Sequence, residues 1–401
     1  MTHKDKIVTA VVIGAGGRGM GYSLFALAFP ERFKIVGVAE PKDYNRKWMK
    51  TTHQIPDENV FKDWRELAQK PPIADAAIVA TQDAMHAEPA IAFAKLGYAI
   101  LLEKPMAPNE EDCVCITQAV QEANVLCAVC HVLRYTTYTQ TLKRLVASGL
   151  IGEVVSMQHL EPVGYWHQAH SFVRGNWRNE KESSFMLLSK SCHDLDWIRY
   201  IMGERCLSVS SFGALTHFKK AQKPVEAGSA IYCWQCDYEP RCPYSAKKIY
   251  LGFLERGNTG WPVDVVTPEP TFASASAALE SGPYGRCVYE CDNDVVDHQV
   301  VNLWFEHEKT ATFTMTAFTE AGHRKTRIFG TRGELYGNGE TIEHFDFLTD
   351  QRRMIPTETA DASILGGHGG GDYGLMDRFV TAVARNDPSY ILSGVEESLE
   401  T

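Results

Sequence analysis

The chain has 401 residues, 44% hydrophobic and 22% charged, with a formal net charge of −10. That length exceeds one ordinary core and predicts two domains. The acidic balance, without a basic run, argues against a nucleic-acid or anionic-membrane partner, and no apolar stretch is long enough to span a bilayer. Met1–Lys6 lead into the first strand without an apolar leader segment. The eleven cysteines are an odd number spread along the chain, which points to reduced thiols in a cytoplasmic compartment.

An apolar run, Ile7–Ile13, has strand composition and stops at glycine. Gly14, Gly16 and Gly19 fill the three positions of a G-x-G-x-x-G turn, with Gly17 and Arg18 inside it, and an apolar-periodic segment follows. The three glycines allow, in turn, a tight turn, close approach of backbone to a pyrophosphate, and close helix–strand packing. The helix N-terminus after the turn offers free N–H groups and the positive dipole end to that phosphate. A second strand, Phe33–Ala39, ends in Glu40, about 20 residues on, where an acceptor for a ribose hydroxyl is expected. A ligand-free glycine turn is the plainer alternative.

Strand and helix then alternate. Asp75–Ala80 is a strand; a helix near His86–Leu96 closes at Gly97; Tyr98–Leu102 is a strand ended by Glu103-Lys104-Pro105. A helix from Asn109 to Ala123 and a strand at Leu126–Cys130 complete the series. This order predicts a doubly wound parallel sheet that binds its ligand at the strands' carboxyl ends. Thr81, Asp83, His86 and Lys104 follow strands closely and are expected to line that edge, with Glu103 a further expected cofactor contact.

After Val132 the pattern changes. A helix at Tyr138–Ser148 leads into a strand, Glu153–Glu161. The aromatic and basic passage Gly164–Arg178 shows neither helical nor strand period, and Ser184–Tyr200 reads as one helix. Strands are expected at Leu207–Gly213, Val295–Glu306, Thr310–Phe318 and Lys325–Phe329, and Gly257–Ser281 reads as loop. The fold class is therefore α/β: an N-terminal Rossmann-type sheet over 1–131, then an α+β domain over 132–401 with a large open, mostly antiparallel sheet. A glycine run, Gly366–Asp372, holds His368 and precedes an amphipathic segment, Tyr373–Ala384.

With Glu103-Lys104-Pro105 and Cys192-His193-Asp194-Leu195-Asp196 in view, the chain resembles the Gfo/Idh/MocA oxidoreductase family. Five features carry the match: the Gly14–Gly19 turn, Ala39-Glu40-Pro41, His86, the Glu-Lys-Pro motif and the His-Asp-Leu-Asp segment. The resemblance implies a Rossmann domain followed by a substrate domain whose open sheet often forms a dimer contact, hence a homo-oligomer, dimer or tetramer. It departs from the family at Ser189, where many dehydrogenases that the chain resembles carry Asp, with Lys190 alongside. Such relatives also usually continue past Glu397–Thr401 into one more helix.

Oxidising an alcohol needs a hydride acceptor, a base and a group that holds the developing oxyanion. Lys104 suits the oxygen, and His193 can take the proton near neutral pH. Lys190 is expected to tune His193 from the same helix face or to bind a second hydroxyl, and Asp196 to orient the imidazole or cap a loop. Tyr165, Trp166, His167, His170, Arg174 and Trp177 offer flat apolar faces and donors for a sugar, and His368 is a further candidate; buried packing is their plainer reading. Cys233, Cys236 and Cys242 have the spacing of part of a structural zinc site, the fourth ligand coming from Cys206, His217, Cys287 or Cys291; small buried thiols are the alternative.

The expected function is hydride transfer between NAD, with NADP open through Lys42 and Arg46, and a hydroxyl of a sugar, cyclitol or sugar derivative. Two alternatives stand beside it. One is a glycoside-cleaving enzyme that oxidises, eliminates and reduces back, suggested by the His368–Asp372 spelling; the other is a nucleotide-binding scaffold without catalysis.

Overall fold

The computed structural model describes residues 6–357 and 367–401; Met1–Asp5 and Gly366 of the glycine run lie outside them. Two compact units form. The first comprises Met1–Leu150, Cys192–Gly203 and Ile355–Thr401, and the second Ile151–Ser191 and Glu204–Met354. The chain thus enters the second unit, returns for the His193 helix, leaves again and comes back for its last segment. A single cut after residue 131 describes chain order, not these units.

In the first unit six parallel strands run in the order β3-β2-β1-β4-β5-β6. They are β1 Val8–Ile13, β2 Phe33–Ala39, β3 Val60–Phe61, β4 Ala76–Val79, β5 Ala99–Leu102 and β6 Cys127–Val129. β4 and β5 are buried at every position, as a parallel strand covered on both faces must be. Helices form where the local signals place them. Asn109 caps Glu110–Ala123 by accepting the Asp112 N–H at 2.8 Å, and Gly97 follows Ala87–Lys95 with φ of 85°. The helix Gly371–Arg385 packs Leu375, Met376, Phe379 and Val380 into the same core as Val12, Phe25 and Ile78.

The second unit holds an eight-stranded sheet, order β14-β13-β12-β11-β7-β10-β9-β8. Its strands are β7 Val154–Pro162, β8 Cys206–Ala214, β9 His298–Phe305, β10 Thr310–Thr316, β11 Lys325–Gly330, β12 Gly333–Gly337, β13 Ile342–Asp346 and β14 Gln351–Ile355. β7 and β10 are parallel, while the β8–β9, β9–β10, β7–β11, β11–β12 and β12–β13 pairings are antiparallel. β9 and β10 alternate cleanly, burying Val301, Leu303, Phe305, Ala311, Phe313 and Met315 on one face.

Three local expectations fail. Gly164–Arg178 is not irregular: Tyr165–His167 is helical and Gln168–Arg174 continues as a seven-residue π-helix, buried throughout. Gly257–Ser281 contains the helices Val263–Val266 and Phe272–Ser281, the latter opened by a capping box between Thr271 and Ser274. Ser184–Tyr200 breaks into Met186–Ser189 and Cys192–Met202, with Lys190 at φ −111°.

Candidate functional site

The glycine turn is built as its spacing demands. Gly14 has φ of 85°, and a Cβ there would stand 2.7 Å from the Ala80 carbonyl; at Gly19 one would stand 2.1 Å from the Gly14 carbonyl. At Gly16 and Gly17 a Cβ would meet no atom within 4 Å. The first pair serves packing, and the second leaves open space at the start of the twelve-residue Gly17–Ala28 helix, whose cap, Gly16, makes no side-chain hydrogen bond. Free N–H groups facing room without side chains fit a dinucleotide pyrophosphate.

Glu40 is buried at the end of β2 and accepts the Ala15 N–H at 2.7 Å and the Lys42 N–H at 2.8 Å. Its carboxylate is therefore fixed beside the turn, where a ribose diol would meet it. Arg46 donates to the carbonyls of Glu40 and Pro41 at 2.6 and 2.9 Å and pairs with Asp43.

Arg18, Glu103 and His86 do different work from that expected of cofactor contacts. Arg18 spans Glu103 (2.6 Å) and Asp372 (2.7 Å) and also reaches the Tyr22 hydroxyl. Glu103 accepts further from the Tyr22 hydroxyl and the Lys104 N–H, each at 2.7 Å. Burial would raise the Glu103 carboxyl, but Arg18, Lys104 and these hydrogen bonds hold it below its usual range. The two ring nitrogens of His86 lie 2.8 Å from the Pro105 carbonyl and 3.2 Å from that of Thr81. His86 thus ties the turn after β4 to the Glu-Lys-Pro turn after β5, fixing the backbone around Thr81 and Lys104.

Around His193 the first unit gathers three imidazoles. The His193 ring lies 6.3 Å from that of His131 and 5.8 Å from that of His368. The charge of Lys104 acts on His131 and on Cys192, the residue before His193. His368 sits at φ 53°, followed by Gly369 and Gly370 at 62° and 83°, and its Nδ1 lies 3.2 Å from Asp372. Three successive positive φ values hold this imidazole up at the start of the Gly371–Arg385 helix. Burial would raise the Asp372 carboxyl, yet hydrogen bonds from His368 and Arg18 bring it well below the usual carboxylate range.

Asp196 belongs elsewhere. It is fully buried and accepts from Arg134 through both oxygens, at 2.8 and 2.6 Å, with His131 Nε2 at 3.7 Å. Arg134 also reaches Glu397 and the Leu392 carbonyl. Asp196 therefore anchors the His193 helix to the turn after β6. Lys190 does not share a helix face with His193, because the helix breaks between them; its ammonium pairs with Glu161 at 2.8 Å, as does Arg324 at 3.1 Å. Ser189 directs its hydroxyl to the Phe185 carbonyl at 3.3 Å.

In the second unit the expected substrate wall divides. His170 and Arg174 are consumed by packing. His170 bonds the Tyr250 hydroxyl at 2.9 Å and stacks on Tyr284, while Arg174 donates to the carbonyls of Arg286 and Tyr244 at 2.8 and 2.7 Å. Tyr165, Trp166, His167 and Trp177 stay half-exposed. Trp166 and His167 form one aromatic group with Trp261, at ring distances of 5.2 and 4.9 Å. Burial, with the charges of Lys190 and Arg324, keeps His167 neutral.

The cysteine expectation is corrected. Cys233, Cys236, Cys242 and Cys287 do line one cavity of about 10 Å³. Among the described residues, however, no group of three or more His, Cys, Asp or Glu side chains is arranged to hold a metal ion. Cys233 accepts the Ala246 N–H at 3.4 Å beside Arg174, and burial pushes the Cys242 thiol up to about 11. The zinc reading therefore has no support among the described residues.

His131, Arg134, Glu161 and Trp261 have no signal in the sequence, and Asp372 enters there only as the end of the His368–Asp372 spelling. Asp372 lies four residues after His368, while Arg134 and Glu161 meet charged partners distant in sequence, Asp196 and Arg324.

Residues 8–131 match the Gfo/Idh/MocA oxidoreductase family with its NAD-binding Rossmann fold, and residues 143–399 match that family's C-terminal alpha/beta domain. The chain is 22% identical to the putative oxidoreductase YteT of Bacillus subtilis, covering 91% of this chain and 87% of that one. It is 27% identical to levoglucosan dehydrogenase of Pseudarthrobacter phenanthrenivorans over 55% and 56% of the two chains. It is 33% identical to the 2,7-anhydro-N-acetylneuraminate hydratase of Escherichia coli over 35% and 37%. Among solved structures, levoglucosan dehydrogenase in complex with NADH and levoglucosan shares the fold with a TM-score of 0.68 at 18% identity, over 98% of this chain and 94% of that one. An oxidoreductase from Agrobacterium radiobacter in complex with NAD+, L-tartaric acid and magnesium has the same TM-score at 13% identity, over 98% and 93%.

Proposed function

Because the chain belongs to the Gfo/Idh/MocA oxidoreductase family, we propose that it oxidises a hydroxyl of a sugar, cyclitol or sugar derivative with Lys104 and His193 as its acid–base pair. It is an NAD-binding oxidoreductase with a Rossmann domain. The observation that carries the site is that one compact unit holds the open Gly16–Gly17 turn, Lys104 and His193, the His193 ring lying 6.3 and 5.8 Å from those of His131 and His368.

Bound nicotinamide would supply the hydride acceptor. Lys104 holds the substrate oxygen and steadies its developing charge, and His193 takes the hydroxyl proton. Glu103, held ionised by Arg18, fixes the backbone from which Lys104 extends. Residues 1–131 serve the cofactor and 132–401 the substrate and assembly. Tyr165, Trp166 and His167 give the half-exposed aromatic faces on which a sugar ring stacks.

NAD is favoured over NADP. The carboxylate of Glu40 would repel a 2′-phosphate, and Arg46 is turned into backbone carbonyls and Asp43. Exposed apolar residues on the sheet of the second unit, among them Val155, Val300, Trp304 and Tyr336, support a homo-oligomer through that face. Eleven cysteines in the thiol form favour a reducing, cytoplasmic compartment.

The test is steady-state reduction of NAD+ and NADP+ across a polyol and sugar panel, with Lys104→Ala as control. Turnover that disappears in Lys104→Ala while NAD+ binding persists supports the reading. No turnover and no nucleotide binding in the parent protein would end it.

A second reading, redox-neutral glycoside cleavage by transient oxidation, is favoured by the His368–Asp372 pair next to His193. It predicts release of aglycone without net NADH.

A further inference from the structure

We propose that His131 is a positioning residue for His193, an imidazole that sets the ring of the proposed base and supports its protonated form. The inference rests on the reading of His193 as the proton acceptor and adds a residue outside the motifs that suggested that role.

His131 follows β6 and is 3% exposed. Its ring meets that of His193 edge-on, with centroids 6.3 Å apart and planes at 81°. Its Nε2 stands 3.7 Å from the Asp196 carboxylate, which Arg134 already engages through two hydrogen bonds. A carboxylate on that side favours the tautomer with hydrogen on Nε2, leaving the lone pair on Nδ1. That Nδ1 is buried and, among the described residues, has no hydrogen-bond partner. An orphan acceptor in a packed core costs stability that a phenylalanine would not. The ring that carries this Nδ1 is in edge-on contact with the proposed base, and we assign its lone pair to the protonated form of that neighbour.

The charged groups that act on His131 are Asp196 from the His193 helix, Arg134 from its own turn, and Lys104 and Glu103 from the end of β5, while His368 from the glycine run meets the His193 ring at 5.8 Å. Burial first, then Arg134 and Lys104, hold His131 itself neutral against the opposing pull of Asp196. His131 therefore does not compete for the proton that His193 receives. It remains an acceptor while its neighbour becomes a cation.

The test is a pH titration by NMR of histidine-labelled protein saturated with NAD+, with the His193 ring signals assigned through His193→Asn. His131→Phe keeps ring volume and removes both nitrogens, while His131→Asn restores one polar acceptor. The proposal expects the His193 midpoint to fall by about half a pH unit or more in His131→Phe and to recover in part in His131→Asn. NAD+ affinity should stay within about twofold, because the glycine turn is untouched. A His193 midpoint within about 0.2 of a unit of the parent in both variants overturns it, since a purely packing role would leave the titration in place. The readout needs no substrate. Failure to turn over any polyol is thus a separate result, and if NAD+ does not bind, the same titration on the nucleotide-free protein still decides the matter.

Discussion

Replacing Asp196 with alanine separates an anchoring role from a catalytic one. Asp196 is fully buried and is the bidentate partner of Arg134, whose side chain is itself wholly buried. Removing the carboxylate leaves the guanidinium with the more exposed Glu397 and a backbone carbonyl. Breaking a buried pair by deleting one partner costs about 3–5 kcal/mol, because the remaining charge stays buried. In a unit of ~150–250 residues each kcal/mol moves the melting temperature by about 2–4 °C, so a fall of roughly 6–20 °C is expected. Calorimetry with two units requires fitting the transitions separately, and the transition of the NAD-binding unit should be the one displaced, identified by its response to added NAD+. The paired change Asp196→Leu with Arg134→Met should regain most of the loss, since both charges leave together. A single variant that keeps its melting temperature within about 2 °C, yet loses turnover by more than about a hundredfold, would refute the reasoning and return Asp196 to the reacting atoms.

Further expectations concern the cofactor turn and the buried histidines. Gly16→Ala should leave the melting temperature unchanged, because its Cβ meets nothing within 4 Å, but should weaken NAD+ binding by about tenfold or more by filling the pyrophosphate space. Gly19→Ala should destabilise the fold by more than about 2 kcal/mol, its Cβ standing 2.1 Å from a backbone oxygen; urea melts distinguish the two. Glu40→Ala should raise kcat/KM with NADP+ relative to NAD+, and an unchanged ratio would show that this carboxylate does not read the ribose. Burial chiefly, and Arg174 next, lower the His170 imidazole from 6.5 to about 3. The unfolded chain then binds a proton that the folded one refuses. Stability should thus be intact above about pH 6.5 and fall by up to ~1.4 kcal/mol per pH unit as pH drops towards 3, then level off. His170→Phe should flatten that slope while losing about 1 kcal/mol from the Tyr250 hydrogen bond; chemical melts over that pH range read both.

The fold was largely legible because its signals are local. β4 and β5 are apolar at every position, Gly97 ends its helix with positive φ, and β9 and β10 alternate in and out. The failures share another cause. Gln168–Arg174 becomes a π-helix buried among aromatic and cysteine side chains from residues 218–291, so its conformation is set by partners distant in sequence and not by its own period. β12, β13 and β14 were missed because five-residue strands with glycine ends or exposed charged faces carry little hydrophobic pattern. The division of the chain into units was likewise hidden, since Cys192–Gly203 and the last segment join the first unit through contacts no local window holds.

The same distinction explains the site. Gly14, Gly16, Gly19 and Glu40 are fixed by a turn and a strand end, so spacing alone places them. Arg18 and His86 are expected at the cofactor, Asp196 at the His193 imidazole or a loop, and Lys190 at His193 or a substrate hydroxyl, whereas the fold gives them Glu103 and Asp372, two carbonyls, Arg134, and Glu161. A charged side chain beside a motif must still satisfy its own hydrogen bonds, and inside a packed unit the nearest opposite charge takes precedence over a ligand. Lys104 stands on a backbone fixed by Glu103, and the His193 ring lies between two other imidazoles. In the second unit the same rule holds: Lys190 and Arg324 are both taken up by Glu161, and Trp166 and His167 by the ring of Trp261.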